Sequence, residues 1–312
     1  MKIRRVRTGE DQSLEVLCAG DWMPLGDSSG GANDDLIQTL RARAPLPTPG
    51  QANGPMLPFQ PLSYRDFMLY ERHYIQAGRG YLRRFRPAIG RLARGFEWMA
   101  GRTFPPLKPS PLWYRQPIYY MGNHLAFVAD GAEVAWPDYT DALDYELELG
   151  FFLAKPLFNA TPRDALAAIG GFVVFNDISA RDVQTEEMRS GFGPQKSKHF
   201  CNVMSSVVVS ADEVLPHFEK LRGRVRINGN IVAECSAENP QFNLGEAIAH
   251  ASRGEQLLPG EFFGTGTWPN GSGMENGHWL RPGDTVQLEI DGIGSLCNKI
   301  GERPPTRALN IR

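Results

Sequence analysis

The sequence predicts an α+β chain dominated by β-structure. Past Arg102 it is written as short apolar runs closed by turn residues, its helical stretches are few, and no regular βαβ alternation or internal repeat is present. At 312 residues it can bury a large core without disulfides or a structural metal. Its 33 basic and 35 acidic residues give a formal charge of −2. That balance lacks the excess of positive charge expected of a nucleic-acid or anionic-membrane binder, so the expected partner is a small molecule. Cys18, Cys201, Cys235 and Cys297 show no CxxC spacing and are expected to be reduced thiols. With neither a signal-peptide pattern nor about 18 consecutive apolar residues, the expected location is the cytoplasm.

Taken in order, Ile3, Val6, Leu14, Val16 and Leu17 set a strand-like alternation, and a short helix is expected over 34–43. Pro45, Pro47, Pro49, Pro55, Pro58 and Pro61 then exclude helix and central strand. The expected division is a small N-terminal module with linker over 1–60 and a main domain over 61–312. From Tyr64 to about Met99 the pattern reads as helical and carries Arg79, Arg83, Arg84, Arg86, Arg91 and Arg94, read as a solvated face or subunit contact. Asn228-Gly229 between RVRI and NIVAE predicts a tight hairpin. Two later helices are expected, one opened by Thr161 and Pro162 and closed at Gly170-Gly171, the other over SARDVQTEEMR.

Chemistry enters at LDYELELGFF, where Glu146 and Glu148 stand two apart on a strand and leave it on one face. Two adjacent carboxylates suit a solvated edge strand, yet the apolar GFFLA that follows suits a central one, where they need a bridging cation. In GGFVVFNDIS, Asp177 closes an apolar strand, a place for a ligand or for a helix N-cap.

The succession DYELEL, FNDISARDVQ, GPQKSK and GTGTWP resembles the fumarylacetoacetase superfamily over roughly residues 64–300. The resemblance implies a mixed β-sandwich or β-roll of the fumarylacetoacetase C-terminal type, a homodimer, and a divalent metal on Glu146, Glu148 and Asp177. In YRDFMLYERHY, Asp66 and His73 stand seven apart, as do a family aspartate and catalytic histidine. Asp66 is thereby expected as a fourth ligand and His73 as general base, oriented by Glu275; read alone, His73 would be an ordinary helix-surface histidine. By the same resemblance Lys198 stabilises developing negative charge, and Arg181, Gln184, Tyr120 and Thr267 contact substrate. Met68 and Met188 depart from the family, standing where fumarylacetoacetase has tyrosines, and Asn202 replaces a threonine.

An all-carboxylate site selects a hard cation, with Mg²⁺ expected ahead of Mn²⁺ or Ca²⁺. The expected activity is hydrolysis of a carbon–carbon bond in a β-diketo acid or acylpyruvate. Decarboxylation, tautomerisation or hydration of a 2-oxo acid is the alternative on the same scaffold, and a non-catalytic binding protein the second alternative.

Overall fold

A computed structural model of the chain describes residues 2–8, 11–24 and 54–305. The helix expected over 34–43 lies outside them. Strands β1 (Lys2–Thr8), β2 (Asp11–Cys18), β3 (Asp21–Pro24), β4 (Gly54–Pro55), β5 (Tyr64–Phe67), β6 (Tyr119–Met121) and β7 (Phe127–Ala129) come first. There follow β8 (Leu143–Asp144), β9 (Leu147–Leu153), β10 (Ile169–Asp177), β11 (Ser179–Ala180), β12 (Asn202–Met204) and β13 (Val207–Ser210). The last are β14 (Arg222–Ile227), β15 (Asn230–Ser236), β16 (Phe262–Gly264), β17 (Thr285–Ile290) and β18 (Gly294–Lys299). One mixed sheet runs β3-β2-β1-β13-β10-β9-β16-β5-β6, with β12 and β7 branching from β10. An antiparallel sheet β15-β14-β17-β18 packs against it through a shared core. The β-dominated α+β expectation holds. The N-terminal meander joins the main sheet through pairing of β1 with β13.

The main sheet is covered on both faces, which explains why its central strands are continuously apolar rather than alternating. Along β10, Phe172 and Val174 enter the large core beneath the four-stranded sheet, while Val173 and Phe175 enter a second, aromatic cluster with Tyr64, Phe127 and Phe262. The hairpin at Asn228-Gly229 forms as expected, both residues taking the positive φ that its tight turn requires (51° and 81°).

The reading of Tyr64 to Met99 as wholly helical needs correction. Residues 64–67 form β5, paired in parallel with β16, because Tyr64 and Asp66 face one side and Phe67 the other. Helix α1 (Glu71–Phe85) follows, burying His73, Ala77 and Gly80 along one stripe, and α2 (Pro87–Ala100) restarts the chain at Pro87. Three of the four arginines on α1 are spent within the molecule: Arg79 pairs with Glu97 at 2.8 Å, Arg83 donates to the Glu275 carbonyl at 2.9 Å, and Arg84 stacks 3.8 Å over Trp279. Helix α3 (Pro162–Leu166) opens with Thr161 as N-cap but closes at Leu166. Gly170-Gly171 belongs instead to β10, at a register shift against β9. Helix α4 (Arg181–Arg189) matches the SARD segment; α5 (Ala211–Val214), α6 (Leu244–Ala251) and α7 (Gly273–Asn276) complete the set. Among the described residues no helix is long and apolar enough to cross a membrane.

Candidate metal centre and active site

Strand pairing assembles the site. Gly264 on β16 is level with Asp66 on β5 and with Gly150 on β9, and Glu148 on β9 is level with Phe175 on β10. By the two-residue period, Asp66, Glu148 and Asp177 therefore leave the sheet on the face of Tyr64, Phe175 and Phe262. The aromatic cluster is the floor, and the carboxylates cap one end of it.

Asp66, Glu148 and Asp177 are buried, and one oxygen from each lies within 4.8 Å of the others. Donors from the Gly266-Thr267 segment hold two of them: the Gly266 N–H donates to Glu148 at 3.0 Å and to Asp66 at 3.3 Å, and the Thr267 hydroxyl donates to Glu148 at 3.2 Å. A side chain at Gly264 would place its Cβ 2.3 Å from Asp66 Oδ1 and 2.8 Å from Glu148 Oε2, so glycine there keeps the cradle open. Burial, and then the charge of Asp177, pushes the Asp66 carboxyl well above the usual carboxylate range. Burial followed by the charges of Asp66 and Asp177 does the same to Glu148. Asp177 is also raised by burial, and its Oδ1 has no partner among the described residues. Three crowded, dehydrated carboxylates with an orphan oxygen fit a hard divalent cation.

This arrangement fixes a pH dependence. Three raised carboxyls make the folded, cation-free chain bind more protons than the unfolded chain, whereas Glu146 is lowered and acts in the opposite sense. More protons on the folded side means stability falls as pH rises. The chelated protein should lose Tm progressively as pH is raised from about 4, the ordinary carboxylate value. Added Mg²⁺ or Mn²⁺ should cancel that loss in thermal melts; the same slope with and without cation would argue against a shared ion.

Glu146 is placed differently. It lies beside the three-carboxylate cluster, and its oxygens are committed to cations: Lys198 Nζ donates to Oε2 and Arg181 to Oε1 at 2.6 Å. Although burial opposes it, Arg181 and Lys198 hold its carboxyl well below the ordinary range. Lys198 also donates to Asp177 at 2.6 Å, and those two carboxylates outweigh its own desolvation and raise its pKa. Arg181 further binds Asp144 at 2.8 Å and Gln184 at 3.0 Å. Asp144 accepts the Gly273 and Met274 N–H groups at 2.8 and 3.0 Å, which ties Arg181 to the start of α7.

Helix α7 carries Glu275, whose carboxylate closes a capping box with Ser272. Glu275 Oε2 is also 2.9 Å from His73 Nδ1, although the N–H direction is off line for a formal hydrogen bond. The two helices can approach because Gly80 lies against Met274, where a Cβ would fall 1.7 Å from the Met274 carbonyl oxygen. The other ring nitrogen, Nε2, faces Glu146 Oε1 at 3.8 Å. One imidazole nitrogen is thus backed by a carboxylate while the other looks toward the ionic cluster.

The profile described as the fumarylacetoacetate hydrolase C-terminal family matches residues 99–301. This chain belongs to the fumarylacetoacetate hydrolase family. It is 34% identical over 164 residues to an oxaloacetate tautomerase of Bacillus subtilis, a match covering 52% of this chain and 53% of that protein. It is 30% identical over 189 residues to the human mitochondrial oxaloacetate tautomerase FAHD2B, covering 60% and 59% of the two chains. These matches thus span little more than half of either relative. A fumarylacetoacetate hydrolase from Exiguobacterium antarcticum superposes with a TM-score of 0.67 at 21% identity, over 97% of this chain and 100% of that one. That likeness shows the fold.

In this family member the ionic cluster opens into a cavity of about 580 Å³ lined by Asp66, His73, Glu146, Glu148, Arg181 and Lys198 at one end, with Gln184, Tyr120 and Thr267 also on its wall. The hydroxyl of Tyr120 donates to Asp177 at 2.7 Å and that of Thr267 to Glu148, so both candidate substrate contacts here hold carboxylates. Met68 and Met188 line the same cavity. Asn202, level with Asp177 across β10 and β12, is buried with both polar side-chain atoms unpartnered among the described residues.

Asp144, Gly264 and Gly266 shape the site without standing out in the sequence. Asp144 had a signal, because the alternation that pairs Glu146 with Glu148 extends back to it. The glycines lie inside GTGTWP, but only the packed strands show that Gly266 donates to two carboxylates.

Proposed function

We propose that this protein is a divalent-cation-dependent hydrolase that cleaves a carbon–carbon bond in a small β-diketo acid or acylpyruvate. The observation that carries the reading is His73, set between Glu275 on Nδ1 and the ionic cluster on Nε2. Asp66, Glu148 and Asp177 would hold the cation, with Glu146 adjoining them. When bound, it would polarise the substrate's keto and carboxylate oxygens as a Lewis acid.

The chain's own groups would do the rest. His73 Nε2 takes a proton from water, with Glu275 orienting the ring and stabilising its charge. Hydroxide adds to the acyl carbonyl. Lys198, with a donor to spare, and the amide of Gln184, whose oxygen already serves Arg181, face the developing oxyanion. The carbon–carbon bond breaks, its electron pair stays with the pyruvyl half as an enolate, and the proton held by His73 quenches it. One water is consumed, and an acid and a 2-oxo acid are released.

A second reading, keto–enol tautomerisation of a 2-oxo acid, has its own support in the relatives named oxaloacetate tautomerases. It needs the same imidazole but no water. Incubating the protein and Mg²⁺ with acetylpyruvate and with oxaloacetate, and identifying products by NMR, separates the two. Acetate and pyruvate from acetylpyruvate support hydrolysis; accelerated enol–keto exchange of oxaloacetate without cleavage of either compound would replace it with tautomerisation.

A further inference from the structure

We propose that the natural substrate carries an uncharged, apolar acyl tail and a single carboxylate at the cation end. This inference rests on the proposed function and assigns the rest of the same cavity. At about 580 Å³ the cavity has room for roughly twenty waters at about 30 Å³ each, far more than a pyruvyl group fills. Its charged lining residues all belong to the ionic cluster, where each is already placed among the others. Beyond them the described wall is mostly apolar, with Ala77, Leu82, Ile89, Phe104, Leu107 and Met188 among its residues, and its remaining polar side chains, Tyr74, Tyr81, Tyr119 and Thr185, are uncharged.

A second carboxylate at the far end of a substrate would meet no cation there among the described residues. The nearby arginines are behind the wall: Leu82 and Leu107 also border a separate cleft that contains Arg79, Arg83, Arg91 and Arg94. Arg79 is held by Glu97, and Arg83 by the Glu275 carbonyl. A charged tail would therefore lose its water without gaining a cationic partner among the described residues, whereas a hydrocarbon tail gains from every methylene buried.

The test is kcat/KM of the full chain with Mg²⁺ on straight-chain acylpyruvates from acetyl to octanoyl, alongside fumarylpyruvate. Each added methylene should raise kcat/KM about fourfold over the first several, the equivalent of about 0.8 kcal/mol per methylene. Fumarylpyruvate should fall at least tenfold below the uncharged compound of matched length. Ala77→Phe should flatten the series, read as the ratio of octanoyl to acetyl kcat/KM so that any loss common to all chain lengths cancels, with a melt to show that the variant is folded. Ile89→Arg, at a position 46% exposed that tolerates charge, should narrow the gap between fumarylpyruvate and its uncharged match. Turnover of acetylpyruvate with a flat or falling series, or a preference for fumarylpyruvate, overturns the apolar tail and leaves the hydrolase reading standing. No cleavage of any acylpyruvate overturns both.

Discussion

Replacing His73 with alanine should lower turnover by roughly 10²–10⁴-fold, the usual contribution of a general base, while the cation still binds. The separation follows from geometry. His73 comes from α1 and reaches the site through Glu275 and Glu146, whereas the three clustered carboxylates come from β5, β9 and β10. His73 is buried on the stripe with Ala77 and Gly80, so a melt of the variant must accompany the rates. His73→Gln keeps more of the volume and should lose activity to a similar degree. Wild-type turnover by either folded variant would remove the imidazole from the chemistry.

Glu148→Ala should have the opposite signature, with cation affinity falling at least tenfold to a hundredfold and activity falling with it. Losing an outer-sphere partner alone costs that much. Glu148 is fully buried, and both its oxygens are aimed, one by Thr267 and one by Gly266. Glu148 is itself desolvated and crowded by the charges of Asp66 and Asp177, and removing it ends that penalty, so the cation-free variant should melt no lower than the cation-free parent despite the cavity. Calorimetric titration with Mn²⁺ reads the first effect and thermal melts in chelator the second. Unchanged stoichiometry and affinity would eliminate Glu148 as a ligand. Asp66→Ala should repeat the pattern, and Glu146→Gln offers a contrast, because its main partners are Lys198 and Arg181.

Much of the site was legible because strands write their faces in alternate residues. Glu148 and Asp177 could be placed on apolar strands from local pattern alone, and the family resemblance added Asp66 and His73. What could not be read was the competition for Glu146. Lys198 stands 52 residues away and Arg181 stands 35 away, so only the folded sheet brings two cations onto that carboxylate. In the sequence Tyr64–Phe67 reads as part of the helix after it, because a four-residue strand beside a long helix has too few residues to show its period. Its pairing with β16 is a tertiary choice, and it is what turns Asp66 toward Glu148. The closing glycines expected for α3 misled for a similar reason: a glycine pair can end a helix or admit a register shift in a strand, and the chain at 170–171 does the latter.

The most direct test of the central claim, that Asp66, Glu148 and Asp177 together hold one hard cation beside His73, is anomalous diffraction from crystals soaked in Mn²⁺. A single peak should appear about 2.0–2.6 Å from one oxygen of each of the three carboxylates. Active, Mn²⁺-saturated protein with no density there, or with the ion bound elsewhere, would contradict it.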